Sequence, residues 1–218
     1  MNRRHQGHAL IDELLTDPAI FRQSGQGYRL LKQYFSDLPI ETLRSLINSD
    51  NYDVRYVAIG IAEELGEKSS ILLDDVICLF DSGDRYAKYN ILEIIVVCAR
   101  GEYQDRFIHL ARGLDDSDDV IRTLAMRLMS RAELAQLRAA ARTSERVSNL
   151  SKEHQRGLSE LALGEHSDPQ TIRKMLLQDV LITKIYGVIA AKRLRRIYPE
   201  LIEIVSGLPD NLFREFAK

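Results

Sequence analysis

The stretch Asp50-Asn51-Tyr52-Asp53-Val54-Arg55-Tyr56-Val57-Ala58 lies in register over Ser117-Asp118-Asp119-Val120-Ile121-Arg122-Thr123-Leu124-Ala125 when the two arginines are aligned. Each copy reads as an acidic turn, a β-branched residue, an arginine, two further residues and an alanine. Between them Asp81 to Ile91 repeats the pattern with Lys88 in the arginine slot. Arg156 and Lys184 continue the series with more degraded turns. The basic positions 55, 88, 122, 156 and 184 therefore recur at a period near that of helical repeats, each of which buries its apolar face only by stacking on a neighbour.

Outward from these turns, apolar residues recur at helical spacing. Val54, Ala58, Ile61, Ala62 and Leu65 share one face, as do Ile91, Leu92, Ile95, Val96 and Ala99, and again Ile121, Leu124, Ala125 and Leu128. Gly66, Gly83, Gly101, Gly164 and Pro169 punctuate the pattern. Asp168 before Pro169 marks a helix start, joining a capping carboxylate to a residue that has no N–H to leave unpaired. The spacing predicts helices over 28–36, 39–48, 52–65, 70–81, 85–99, 102–114, 119–131, 133–142, 151–163, 169–178, 180–196 and 199–206. The expected architecture is all-α, one helical-repeat domain over 1–218, with its clearest repeats in 39–131 and degenerate ones in 133–206.

An Asp in the turn followed by an aliphatic-basic pair resembles the HEAT repeat family. The pairs here are Asp50 with Val54-Arg55, Asp81 with Ala87-Lys88, and Asp116 with Ile121-Arg122. The resemblance implies a right-handed α-α superhelix of about five helix pairs. It also implies a ladder of Asp50, Arg55, Asp81, Lys88, Asp116 and Arg122 linking neighbouring repeats, and second helices lining a concave face. The family's proline within the first helix is not matched. On the face so defined the register places Tyr56, Tyr89, Glu93 and Arg127, with Tyr52, Glu63 and Tyr86 close by; these are the expected partner-binding residues.

Composition narrows the function classes. The chain has 218 residues, a formal net charge of −2, no tryptophan and two cysteines. Cys78 and Cys98 sit in apolar stretches without a CxxC spacing, so both are expected as free, buried thiols. The start of the chain has no apolar signal core, and no run of apolar residues is long enough to span a bilayer, so a cytoplasmic location and no membrane partner are expected. Asp115 to Asp119 lacks the glycine and terminal glutamate of a calcium loop and reads as a capping turn. Glu165-His166-Ser167-Asp168 holds triad residue types, but sequence neighbours do not form a triad. His109 and His154 stand isolated. No phosphate-binding glycine loop, zinc motif or nucleophile elbow occurs. No catalytic residue, metal or cofactor is expected.

Charge supplies the functional hint. Asp50 to Asp119 holds 16 acidic residues against 7 basic ones, whereas Lys184 to Tyr198 holds five basic residues and no acid. A near-neutral total conceals segregated fields that steer partners. The expected function is that of a non-enzymatic binder, an adaptor or an antitoxin- or immunity-type neutraliser, whose acidic, tyrosine-bearing face takes a basic protein. The alternative is a DNA-binding or DNA-glycosylase-related HEAT-like protein using the basic C-terminal helices. The missing tryptophan and the acidity of the best repeats argue against that alternative.

Overall fold

The computed structural model describes residues 3–147 and 150–217, residues 3–5 by their backbone alone. The described residues are helical, with no strand among them. They form fourteen α-helices: α1 (Arg3–Thr16), α2 (Pro18–Gln23), α3 (Gly27–Ser36), α4 (Thr42–Ile47), α5 (Tyr52–Glu64), α6 (Leu73–Cys78), α7 (Arg85–Cys98), α8 (Asp119–Arg131), α9 (Leu134–Ser144), α10 (Lys152–Leu163), α11 (Pro169–Leu176), α12 (Leu181–Arg193), α13 (Pro199–Ser206) and α14 (Asn211–Ala217). Two longer segments, Gly66–Leu72 and Gly101–Asp115, wind more tightly as 3-10 helix. Contacts divide the chain into an N-terminal unit, Met1–Cys98, and a C-terminal unit, Ala99–Lys218.

Local chemistry explains where helices begin and end. Asn51 opens α5 by accepting from the N–H groups of Asp53 (2.9 Å) and Val54 (3.3 Å). Asp118 opens α8 by accepting from Val120 N–H at 2.9 Å. Asp168 does the same for Gln170 and Thr171 ahead of Pro169. Each side chain satisfies donors that the first helical turn cannot pair internally. Gly66 and Gly164 follow α5 and α10 with φ of +58° and +60°, a conformation that a Cβ disfavours.

In the N-terminal unit α5 is packed by α2, α3, α4 and α7. Its core side chains Val54, Ala58, Ile61 and Ala62 are buried, as the periodicity required. In the C-terminal unit α12 is the central element, touching α8, α10, α11, α13 and α14. This explains its unbroken buried run from Ile185 to Ala191, which has no polar face. Its contact with α8 skips the α9–α10 pair, so this unit is not a strict stack of nearest neighbours.

Several expectations change. Helices α1, α2 and α14 were not expected, and residues 102–114 are 3-10 rather than α-helical. Cys78 is exposed, not buried: it falls at the solvent side of the short α6, whereas Cys98 is buried and its thiol reaches the Gly66 carbonyl at 3.3 Å. Neither cysteine is in a disulfide among the described residues. Among the described residues no helix is long and apolar enough to cross a membrane.

Candidate functional site

The two aligned arginines do the same thing. Arg55 Nη1 donates to the Ser49 carbonyl at 2.6 Å, and Arg122 Nη1 to the Asp116 carbonyl at 2.9 Å, each six residues back in its own turn. Arg122 also pairs with Asp119. Asp116 is buried and its carboxylate accepts the Asp118 N–H at 2.9 Å. Asp50 and Asp81 are exposed. In the middle repeat the helix-opening carboxylate is Asp84, which takes the Ala87 N–H at 2.8 Å, and Lys88 sits with its ammonium 5.6 Å from the Phe80 ring centre. In this geometry Arg55 and Arg122 brace their own turns.

Three of the expected partner-binding tyrosines come together in the N-terminal unit. Tyr56 of α5 and Tyr86 of α7 stack with ring centres 3.7 Å apart and planes 13° from parallel. Tyr52, one turn before Tyr56, lies 6.1 Å from it and donates its hydroxyl to Asp84 at 2.5 Å. The Arg22 guanidinium rests over both the Tyr56 ring (4.7 Å) and the Tyr52 ring (5.5 Å) while pairing with Asp53 at 3.1 Å. The close approach of the Tyr86 hydroxyl requires Gly60, because a Cβ there would sit 2.5 Å from that oxygen. Together these rings, Arg55 and Asp84 wall a cavity of about 200 Å³.

The charges around the cavity are coupled. Burial opposes ionisation of Asp84, but the Tyr52 hydroxyl, the N–H groups of Ala87 and Tyr86, and the Arg22 charge hold its carboxyl below the usual value. The bond to Asp84 pushes the Tyr52 phenol up. Burial, reinforced by the neighbouring Tyr56, raises the Tyr86 phenol to about 12. Glu63 is held above the ordinary glutamate value by burial and then by the like charges of Glu64 and Glu93. Glu93 is half-buried rather than exposed, while Tyr89 is exposed. Arg127 does not belong to this cluster: it lies in the C-terminal unit, in a cavity of about 630 Å³ with Arg131, Lys192, Arg193, Arg195 and Arg196.

One constellation was not anticipated. His154 is 2% exposed and bridges two partners: Nδ1 to the Tyr186 hydroxyl at 2.9 Å and Nε2 to Asp115 Oδ2 at 2.6 Å. Tyr186 is fully buried, and burial, with the Asp115 charge, holds its phenol well above the usual value. Its ring leans on Gly157, where a Cβ would overlap it. The arrangement satisfies a buried hydroxyl through a histidine anchored by a carboxylate. No cluster of potential metal ligands occurs among the described residues.

No family model matches this chain, and no curated protein matches its sequence.

Proposed function

We propose that this chain is a non-enzymatic binding protein of HEAT-like helix pairs, an adaptor or neutraliser, whose α5–α7 face docks a basic segment of another protein. The observation that carries this reading is the fixed tyrosine wall. Tyr56 and Tyr86 are held in a stack, Tyr52 is tied to Asp84, and the rings border a cavity with that carboxylate at its edge. Aromatic rings immobilised before binding offer contact area with little ordering left to do. Asp84, Glu63 and Glu93 supply the negative field that a lysine- or arginine-rich segment would neutralise. The aligned bonds of Arg55 and Arg122 support the repeat register on which a solenoid would be built.

The test is affinity selection from the native cell with the full chain, scored by mass spectrometry against a Tyr52→Ala, Tyr89→Ala double variant. Both side chains are exposed, at 45% and 41%, so the fold should persist. Recovery of a basic protein by the wild type and its loss from the variant is expected. Equal recovery by both, or recovery of acidic proteins or nucleic acid alone, sinks the reading.

A further inference from the structure

We propose that the cavity where α8 and α12 end is a binding site for a compact polyphosphate anion. This site lies within the C-terminal unit and is independent of the tyrosine face.

Six cations line the cavity: Arg127 and Arg131 from α8, Lys192 and Arg193 from α12, and Arg195 and Arg196 beyond it. One carboxylate, Glu215, shares the wall, so positive charge greatly exceeds negative. Helix C-termini present unpaired carbonyls and ordinarily attract cations, which is the plain structural explanation for basic residues here. Two of the six are accounted for in that way. Arg193 Nη1 donates to the carbonyls of Met129, Ser130 and Ala132 at 3.1, 3.1 and 2.9 Å, closing the end of α8. Lys192 Nζ donates to the Ala217 carbonyl at 3.0 Å and lies 5.8 Å from the Phe216 ring centre.

The other four are not. Arg127, Arg131, Arg195 and Arg196 are exposed, and none of their guanidinium groups makes a hydrogen bond or ion pair with another described residue. Three of them lie close enough to act on Lys192. The Lys192 ammonium is held below its usual value by burial first and then by Arg195, Arg131 and Arg127. Like charges crowded into one concavity cost free energy that an anion relieves. With the helix-end carbonyls already occupied by Arg193 and Lys192, the four remaining guanidinium groups face an open cavity of about 630 Å³.

The chemistry selects the ligand class. Guanidinium groups present paired planar donors that match phosphate oxygens bidentately. A volume within the range of small-molecule sites suits a ligand that concentrates several charges, as a polyphosphate chain does. An acidic peptide spreads its carboxylates along an extended backbone. A nucleic-acid strand would want exposed aromatic rings for its bases, and the aromatic residue here, Phe216, is buried under Lys192.

Isothermal titration of the full chain at physiological salt tests this with four probes: inorganic tripolyphosphate, inorganic phosphate, a poly-glutamate peptide and a thymidine oligonucleotide. Tripolyphosphate should bind saturably at one site, and inorganic phosphate at least about a hundredfold more weakly, since it engages fewer charge-assisted bonds. Arg195→Ala should weaken tripolyphosphate about tenfold, and Arg127→Ala with Arg195→Ala about a hundredfold. Both side chains are exposed and bond to no other described residue, and circular dichroism of the variants should match the wild type. Absence of saturable tripolyphosphate binding overturns the proposal, as does an affinity unchanged by Arg195→Ala. Tighter binding of the oligonucleotide or of the peptide than of tripolyphosphate overturns the assignment to a compact ligand.

Discussion

In the N-terminal unit Tyr86 of α7 points its hydroxyl at Gly60 of α5; in the C-terminal unit Tyr186 of α12 lays its ring on Gly157 of α10. Both pairs join two helices that pack together, and in both a glycine makes room for a phenol. Their environments differ. Tyr186 is fully buried and its hydroxyl is answered by His154, itself tied to Asp115. Tyr86 remains half-exposed, stacked on Tyr56 and open to a cavity. The same packing device seals its polar end inside the C-terminal unit and leaves a ring edge open to solvent in the N-terminal one.

A methyl group added at each glycine should separate the two pairs most strongly. At Gly157 the added carbon collides with the aromatic ring itself, which is confined on all sides. Gly157→Ala should destabilise the protein by about 3 kcal/mol or more, the upper end of overpacking costs. At Gly60 the obstacle is the hydroxyl at the far end of a ring whose edge meets solvent, and a small tilt within the stack relieves it. Gly60→Ala should leave stability within about 1 kcal/mol, because helix propensity offsets the displacement. Chemical denaturation of the two variants decides it, and similar midpoints would show that the two pairs are not different in kind.

A second comparison pits the two aligned turns against each other. Arg55→Ala and Arg122→Ala should each cost about 1.5 kcal/mol, the scale of a charge-assisted bond to a carbonyl. Arg127→Ala, in the same helix as Arg122 but exposed, should stay within about 0.5 kcal/mol. Denaturation midpoints that rank Arg127 with the other two would remove the equivalence of the turns.

The smallest effect appears only in alkali. The Tyr86 phenol is raised to about 12, whereas in the unfolded chain it ionises near its ordinary value of 10. Between those two values the folded protein keeps a proton that the unfolded chain has released, so stability falls as pH rises through that window. Tyr34, raised to about 12 by burial, contributes with the same sign. Tyr86→Phe should flatten part of the decline and leave stability near pH 8 little changed. A slope between pH 10 and 12 identical to that of the wild type would contradict the environment described for Tyr86.

Most helices were legible because they carry both a cap and a period. The segment 52–65 was expected and α5 spans Tyr52–Glu64; 119–131 coincides with α8. Helix α2 was overlooked although Asp17-Pro18 is the same opening signal as Asp168-Pro169, with Asp17 accepting the Ile20 N–H at 3.2 Å. Its six residues are too short to show a period. Helix α1 has little amphipathic contrast to detect, since its apolar residues cluster in Ala9 to Leu15. Within the candidate site, the register places Tyr56 in one row with Tyr89 and leaves Tyr52 and Tyr86 only close by, whereas the stack falls on Tyr86, three residues before Tyr89. The bridge among Asp115, His154 and Tyr186 links residues 39 and 32 positions apart, and no local pattern marks it. The basic cavity was visible only as a charge run after Lys184; its α8 half, Arg127 and Arg131, reads as ordinary helix surface until the fold brings it beside α12.

The bonds from Arg193 to Met129, Ser130 and Ala132 carry a consequence for the order of synthesis. These acceptors leave the ribosome more than sixty residues ahead of their donor. Until Arg193 emerges, the end of α8 must leave those carbonyls to water, and α12, the helix that five others pack against, does not yet exist. The N-terminal unit draws its internal contacts from residues up to 98 and faces no such delay. Translation would therefore deliver one finished half while the other waits on α12 and the two helices that follow it, a stage at which a stalled or truncated chain exposes unpaired apolar surface to chaperones and proteases.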